Sequence, residues 1–153
     1  MPRAKPPRLF AFPLKLGERG ALSRALAKAK LPIDDIESPA LLFWRFETAD
    51  SIPVGFGGLE IYGEDALMRS IVILPPLRSR GLGTAVVSQL ETEAAMLKCR
   101  AVWLLTDGAS KFFDRLGYAK CDRAVVPQTI RETRQFAQLC TETAEVLVKR
   151  LPG

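Results

Sequence analysis

Apolar and polar positions change period along this chain, and the changes mark its elements. Leu9–Leu14 reads as a first strand. Between Glu18 and Lys30 the apolar residues Leu22, Ala25, Leu26 and Ala29 keep to one helix face. Leu31–Ile36 is a loop or a short second helix, stopped by Ser38-Pro39. Ala40–Glu47 and Ile52–Tyr62 read as the two strands of a hairpin that turns at Ala49-Asp50-Ser51. Gly63-Glu64-Asp65 makes the next turn, into the apolar run Leu67–Leu74. A central helix spans about Gly83–Lys98, with Val86, Leu90, Ala94 and Leu97 as its buried stripe. Ala101–Thr106 is the kind of continuous apolar strand that is buried on both faces. A short helix over Ser110–Leu116 ends at Gly117, a natural C-cap. Cys121–Val126 reads as a strand, Pro127–Leu139 as a helix with Pro127 in its first turn, and Ala144–Lys149 as the closing strand. The order is that of an α/β domain built on a mixed sheet flanked by helices.

A chain of 153 residues predicts one domain. The expectation is a single domain over 9–153 behind a flexible, proline-rich tail at 1–8. No apolar run approaches the ~20 residues of a membrane helix. The first residues lack the apolar core of a signal peptide, so a cytoplasmic protein is expected. Arg3, Lys5 and Arg8 supply +3 of the net +5 charge, and the body that remains is too weakly basic to argue for nucleic acid. The chain has no histidine, and its three cysteines, Cys99, Cys121 and Cys140, are widely spaced. Zinc chemistry and Ser-His or Cys-His catalysis are therefore not expected. Any proton transfer falls to carboxylate, tyrosine, cysteine or water.

The most specific signal is Arg78-Ser79-Arg80-Gly81-Leu82-Gly83, set between the run ending at Leu74-Pro75-Pro76 and the central helix. Two glycines let the backbone approach a ligand closely. The N–H groups at a helix start converge on one spot, where the macrodipole favours negative charge. Arg78 and Arg80 add charge-assisted bonds to phosphate oxygens. A tight turn with two solvated arginines is the bland alternative. No Gly-Lys-Ser/Thr follows, so this is not a Walker loop, and no third glycine gives it Rossmann spacing. A modest positive field also suits an anionic cofactor such as coenzyme A.

The Arg-x-x-Gly-x-Gly spacing resembles the pyrophosphate loop of the GCN5-related N-acetyltransferase (GNAT) superfamily. The resemblance runs over most of Leu9–Lys149 and rests on three stretches: Ile71–Pro75 with Arg78–Gly83, the strand Ala101–Thr106, and Phe112-Phe-Asp-Arg-Leu-Gly-Tyr118. Gly58-Leu-Glu60, Leu105-Thr106, Phe112-Phe113, Gly117, Asp122-Arg123 and Ile130…Phe136…Leu139-Cys140 further resemble the arsenic-resistance-associated N-acetyltransferases within it. The implied fold has two central strands that splay apart around the pantetheine arm of acetyl-CoA. By resemblance these are Leu67–Leu74 and Ala101–Thr106. The cofactor would then meet Ile71, Ile73, Arg78, Ser79, Arg80, Gly81, Leu82, Gly83, Thr84, Thr106 and Phe113. The Ile73 N–H would hold the developing oxyanion.

Direct transfer to an amine needs a proton acceptor, because an ammonium has no lone pair. Glu60 is the candidate base, unless it is only a surface carboxylate near a hairpin end. Many members of the superfamily hold a carboxylate near the position of Arg69. An arginine here clamps a substrate carboxylate, or else pairs across the strands with Glu60 or Asp65. Without a bulge, alternation puts Arg69 on the same side as Ile71 and Ile73. Trp44 and Glu60, with the Asp122–Phe136 segment, are expected to close an acceptor pocket. Phe113 aligns with the tyrosine that often protonates the leaving thiolate, and phenylalanine has no proton to give. Tyr118 is an apolar packing position in this segment, or a substitute acid. Trp44, Phe43, Phe46, Phe112 and Phe136 read as core or pocket wall. The cysteines read as ordinary thiols, although thiolates do suit a trivalent arsenical.

The expectation is an acetyl-CoA-dependent N-acetyltransferase acting on a small amino-acid-like amine, an arsenical or phosphinic analogue included. A protein or peptide amine as acceptor, and a non-catalytic acyl-CoA sensor, stay open beside it. Relatives frequently dimerise, so the resemblance also implies a homodimer.

Overall fold

The computed structural model describes residues 8–31, 33–77, 81–139 and 144–152. Arg78, Ser79, Arg80 and Cys140, and most of the tail expected over 1–8, lie outside the described residues. The strands are β1 (Phe10–Pro13), β2 (Leu41–Glu47), β3 (Pro53–Tyr62), β4 (Asp65–Ile73), β5 (Ala101–Thr106), β6 (Ala119–Cys121) and β7 (Glu145–Arg150). The helices are α1 (Gly20–Lys28), α2 (Leu82–Met96), α3 (Ser110–Arg115), α4 (Gln128–Arg131) and α5 (Arg134–Leu139). One mixed sheet runs β1-β2-β3-β4-β5-β7-β6, the α/β architecture that the pattern predicts. Among the described residues, no helix is long and apolar enough to cross a membrane.

The chain divides into two compact units, one drawing on residues up to 58 with 70–92, the other on 59–69 with 93 onward. In the first, β1 pairs antiparallel with β2, from Phe10 against Glu47 to Pro13 against Trp44. Its core gathers Leu14, Leu22, Leu26, Ile36, Leu41, Phe43, Phe56 and Val72. Leu22 and Leu26, one turn apart on α1, are fully buried there. In the second unit, β4 and β5 are parallel over Asp65–Leu67 and Ala101–Trp103. β7 pairs antiparallel with the whole of β5 and with β6. Its core packs Leu67, Ala101, Trp103, Val126, Ile130, Phe136 and Val146.

Three helices end in the same way. At α1, Lys30 N–H bonds Ala27 and Leu31 N–H bonds Leu26. At α2, Lys98 bonds Ala95 and Cys99 bonds Ala94; at α3, Gly117 bonds Asp114 and Tyr118 bonds Phe113. These paired bonds are Schellman closures, which need a left-handed residue after the helix. Gly117 (φ 96°) takes that conformation without strain, while Lys30 (φ 58°) and Lys98 (φ 71°) take it against the preference of a side chain.

Of the two readings of Leu31–Ile36, loop or short helix, the structure has the loop, with turns at residues 34–37. Three local expectations are corrected. Leu97 lies past the end of α2 and is exposed, so it leaves the buried stripe. The strand expected over Cys121–Val126 sits earlier, because the Asp122 carboxylate accepts from Ala124 N (2.8 Å) and starts a 3₁₀ turn over Arg123–Val125. The helix expected over Pro127–Leu139 is split at Thr133. Its hydroxyl donates to the Ile130 carbonyl (2.7 Å) and accepts from Phe136 N (3.1 Å), which closes α4 and caps α5.

Arg19 is the N-cap residue of α1, and its side chain makes no cap bond. Its buried guanidinium instead donates to the carbonyls of Ile36 (2.6 Å), Ser38 (2.7 Å) and Leu41 (2.8 Å), and sits 4.9 Å from the Phe43 ring centre. One cation thus ties the 31–40 connection to α1 and β2. Arg19→Met leaves three carbonyls without their donor and should lower unfolding free energy by about 3 kcal/mol in urea. A loss below ~1 kcal/mol would show that the cation is not the strut.

Candidate functional site

In the first unit the site is built from the end of β4, the turn after it and the start of α2. Ser70 adopts φ 58° inside β4, the left-handed region that strands avoid. That single residue interrupts the alternation, so Arg69 does not share a side with Ile71 and Ile73 by simple parity. Beyond it Ile71 and Ile73 are half-buried and Val72 is buried. Here β3 presses so close that a Cβ on Gly55 would lie 2.0 Å from the Val72 carbonyl oxygen, so only glycine fits. Leu74 N–H then bonds the Val54 carbonyl (2.9 Å), and Leu77 N–H closes a 3₁₀ turn on Leu74 (2.9 Å). Trp44, on β2, is buried.

Gly81 opens α2 with φ 75°, and a Cβ there would meet nothing within 4 Å. The first helical bond runs from Ala85 N–H to the Gly81 carbonyl (3.4 Å). The N–H groups of Leu82, Gly83 and Thr84 precede that bond, at the positive end of a helix of 15 residues. Open space beside a glycine and converging donors suit a phosphate group.

In the second unit Glu60 is buried on β3, two residues from Tyr62 and so on the same face. The Tyr62 hydroxyl donates to Glu60 Oε1 (2.5 Å), and Arg69 Nη1 donates to Oε2 (3.0 Å). The Arg69 side chain has no exposed surface. Of the pairings that the sequence leaves open for Arg69, the structure has the one with Glu60. Asp65 instead accepts from Trp103 Nε1 (2.9 Å). A carboxylate has about four lone-pair positions, so these two bonds leave room for another donor. The sequence reading passes over Tyr62, although its i+2 spacing from Glu60 is the signal that finds it.

Also in the second unit, Thr106 Oγ1 accepts from Ala109 N (3.2 Å) at the end of β5. Phe113 is buried edge-on between Phe112 and Tyr118, at 4.9 and 5.6 Å. Lys149 Nζ lies 5.6 Å from the Tyr118 ring centre, and Tyr118 is buried. Among the described residues, no group of three His, Cys, Asp or Glu residues stands ready for a metal.

A sequence model of a family described as "Acetyltransferase (GNAT) family" matches residues 17–118. The chain is 27% identical over 108 residues to an uncharacterized N-acetyltransferase, CgeE, of Bacillus subtilis (strain 168). That match covers 67% of this chain and 42% of the relative's length. The fold is shared with a GNAT-family acetyltransferase from Staphylococcus aureus Mu50, at TM-score 0.72, 13% identity, 94% of this chain and 99% of that one. It is shared too with N-acetylglutamate synthase from Neisseria gonorrhoeae, complexed with coenzyme A and L-arginine, at TM-score 0.75, 13% identity, 96% of this chain and 34% of that one.

Removing one partner of a buried ion pair strands the other. Arg69→Met should cost about 3–5 kcal/mol of unfolding free energy, and Glu60→Leu combined with Arg69→Met much less. Losses that simply add in the double-mutant cycle would contradict the pair. The thiols offer a second check. Burial first and the Asp65 charge second push the Cys99 thiol up; burial and then Asp122 do the same to Cys121. Raised values keep both protonated at pH 8, where free cysteine is partly thiolate. With Cys140 replaced by serine, both should react with iodoacetamide several-fold more slowly than free cysteine, and catch up only at higher pH. Equal rates at pH 8 would refute the shift.

Proposed function

Since the chain belongs to the acetyltransferase (GNAT) family, we propose that it is an acetyl-CoA-dependent N-acetyltransferase acting on a small, amino-acid-like primary amine. The observation that carries this reading is the left-handed, open Gly81 at the head of α2, eight residues past the end of β4. The donor set there suits the pyrophosphate of coenzyme A. A fold neighbour complexed with coenzyme A supports the same cofactor. Leu82, Gly83 and Thr84 offer backbone donors to it, Arg78, Ser79 and Arg80 add side-chain ones, and Ile71, Thr106 and Phe113 line its arm.

Acetyl-CoA supplies the activated acetyl group. The Ile73 N–H donates to the acetyl oxygen as that atom gains charge. Glu60 receives the proton that the attacking amine sheds, and Arg69 with Tyr62 holds its carboxylate in place. Trp44 walls the acceptor. Phe113 gives no proton, so the sulfur leaves as thiolate, which a thiol pKa of ~8.5 permits. With Arg69 engaged by Glu60, its role shifts from clamping the acceptor to positioning the base. The narrower form of the reading makes the acceptor an arsenical or phosphinic analogue of an amino acid, N-acetylated to an inert product. It follows the resemblance to the arsenic-resistance-associated enzymes. The reading carries with it a single domain, a cytoplasmic location and a homodimer.

Thiol release from acetyl-CoA, across amino acids, their phosphinic and arsenical analogues, and peptides, tests this. Gly81→Val should abolish cofactor binding, because a β-branched residue disfavours that φ and fills the space. Glu60→Gln should lower kcat by about 10²–10⁴. Full rate in Glu60→Gln would remove the base assignment. Cofactor binding without turnover on any amine would favour the sensor reading that Phe113 keeps alive.

A further inference from the structure

A cavity of about 240 Å³ lies wholly within the first unit, between α1 and the end of β4. Val72, Leu74 and Pro75 give it an apolar floor, on either side of Ile73. From α1, Ala21 and Ala25 open the space, and Arg24 and Lys28 project at its rim. The two alanines face it because Leu22 and Leu26 turn into the core. Arg24 and Lys28 are one helical turn apart, so both cations stand on the same side. Neither makes an ion pair with an acid among the described residues. Two acids near α1 have other work: Glu18 accepts from Lys15 N (2.8 Å), and Glu37 acts on Arg19. The volume falls below the ~300–1,000 Å³ of drug-sized sites, which suits a small metabolite.

We propose that Arg24 and Lys28 clamp the acid group of the acceptor, making the substrate an amine that also carries a carboxylate or an oxyacid of like shape. The inference rests on the acetyltransferase reading and deepens it. Arg69, the cation that the sequence offers for this task, is buried against Glu60. Arg24 has a planar fork that matches a carboxylate or oxyacid, and Lys28 adds a point charge one turn on. The apolar floor receives the side chain of an aliphatic or methylated acceptor.

The test compares common amino acids with their α-amides as acceptors, in wild type, Arg24→Ala, Lys28→Ala, the double variant and Arg24→Lys. The acid-to-amide ratio of kcat/KM should fall about tenfold or more in the double variant. The fall should enter through KM of the acid, with Arg24→Lys intermediate and KM for acetyl-CoA within twofold of wild type. Calorimetric binding of the same amino acids to wild type and double variant reads the clamp without turnover. No turnover by wild type, together with binding lost in the double variant, would sink the acetyltransferase reading and keep the clamp. Turnover with an unchanged acid-to-amide ratio would sink the clamp and keep the reading. A rise confined to KM for acetyl-CoA would also overturn it, by giving the two cations to the cofactor's phosphates.

Discussion

Ser70 sits in the left-handed region in the middle of β4, a conformation that costs a side-chain-bearing residue about 1–2 kcal/mol. Strands tolerate such a residue only where their neighbours fix it. Here the fixing is visible on the far side of it. The Val72 carbonyl is seated against Gly55, where a Cβ would be 2.0 Å away, and Leu74 is bonded to Val54. Before Ser70, the strand follows the parallel ladder from Asp65 to Leu67. The break divides β4 by task. Arg69 precedes it and joins a buried ion pair, while Ile71 and Ile73 follow it and keep part of their surface. A regular strand would have tied those residues to one parity.

The charge arrangement follows from a chain with no histidine. In the second unit, one buried carboxylate is held by an arginine and a phenol. A pair desolvated this far contributes little net stability against an apolar alternative, so its presence points to a task rather than to folding. In the first unit the positive features differ in kind. Arg19 is spent on three carbonyls, whereas Arg24 and Lys28 border open space. The residue before α1 is thus a structural cation, whereas two cations within the helix line a cavity.

Much of the fold is legible because its signals are local. Ala101–Thr106 is uniformly apolar and forms β5 over those same residues. The helix face of Leu22 and Leu26 and the stop at Gly117 are written in spacing and residue type. The errors come from side chains that compete for the backbone: Asp122 starts a turn where apolar residues suggest a strand, and Thr133 breaks a periodic helix. Of the site, the Gly81 turn is legible because glycine is the residue such a φ favours. Ser70 is not, because serine carries no such signal. The pairing of Arg69 with Glu60 depends on burial that no spacing encodes, and Arg24 and Lys28 look like any solvated helix face.

Everything proposed for the site depends on where coenzyme A meets the chain. Backbone amide shifts recorded while coenzyme A is titrated into the protein test this most directly. Saturable changes centred on Ile71, Ile73 and Gly81–Thr84, and lost in Gly81→Val, are expected. Changes confined to other segments, or none at saturating cofactor, would overturn the proposed cofactor site.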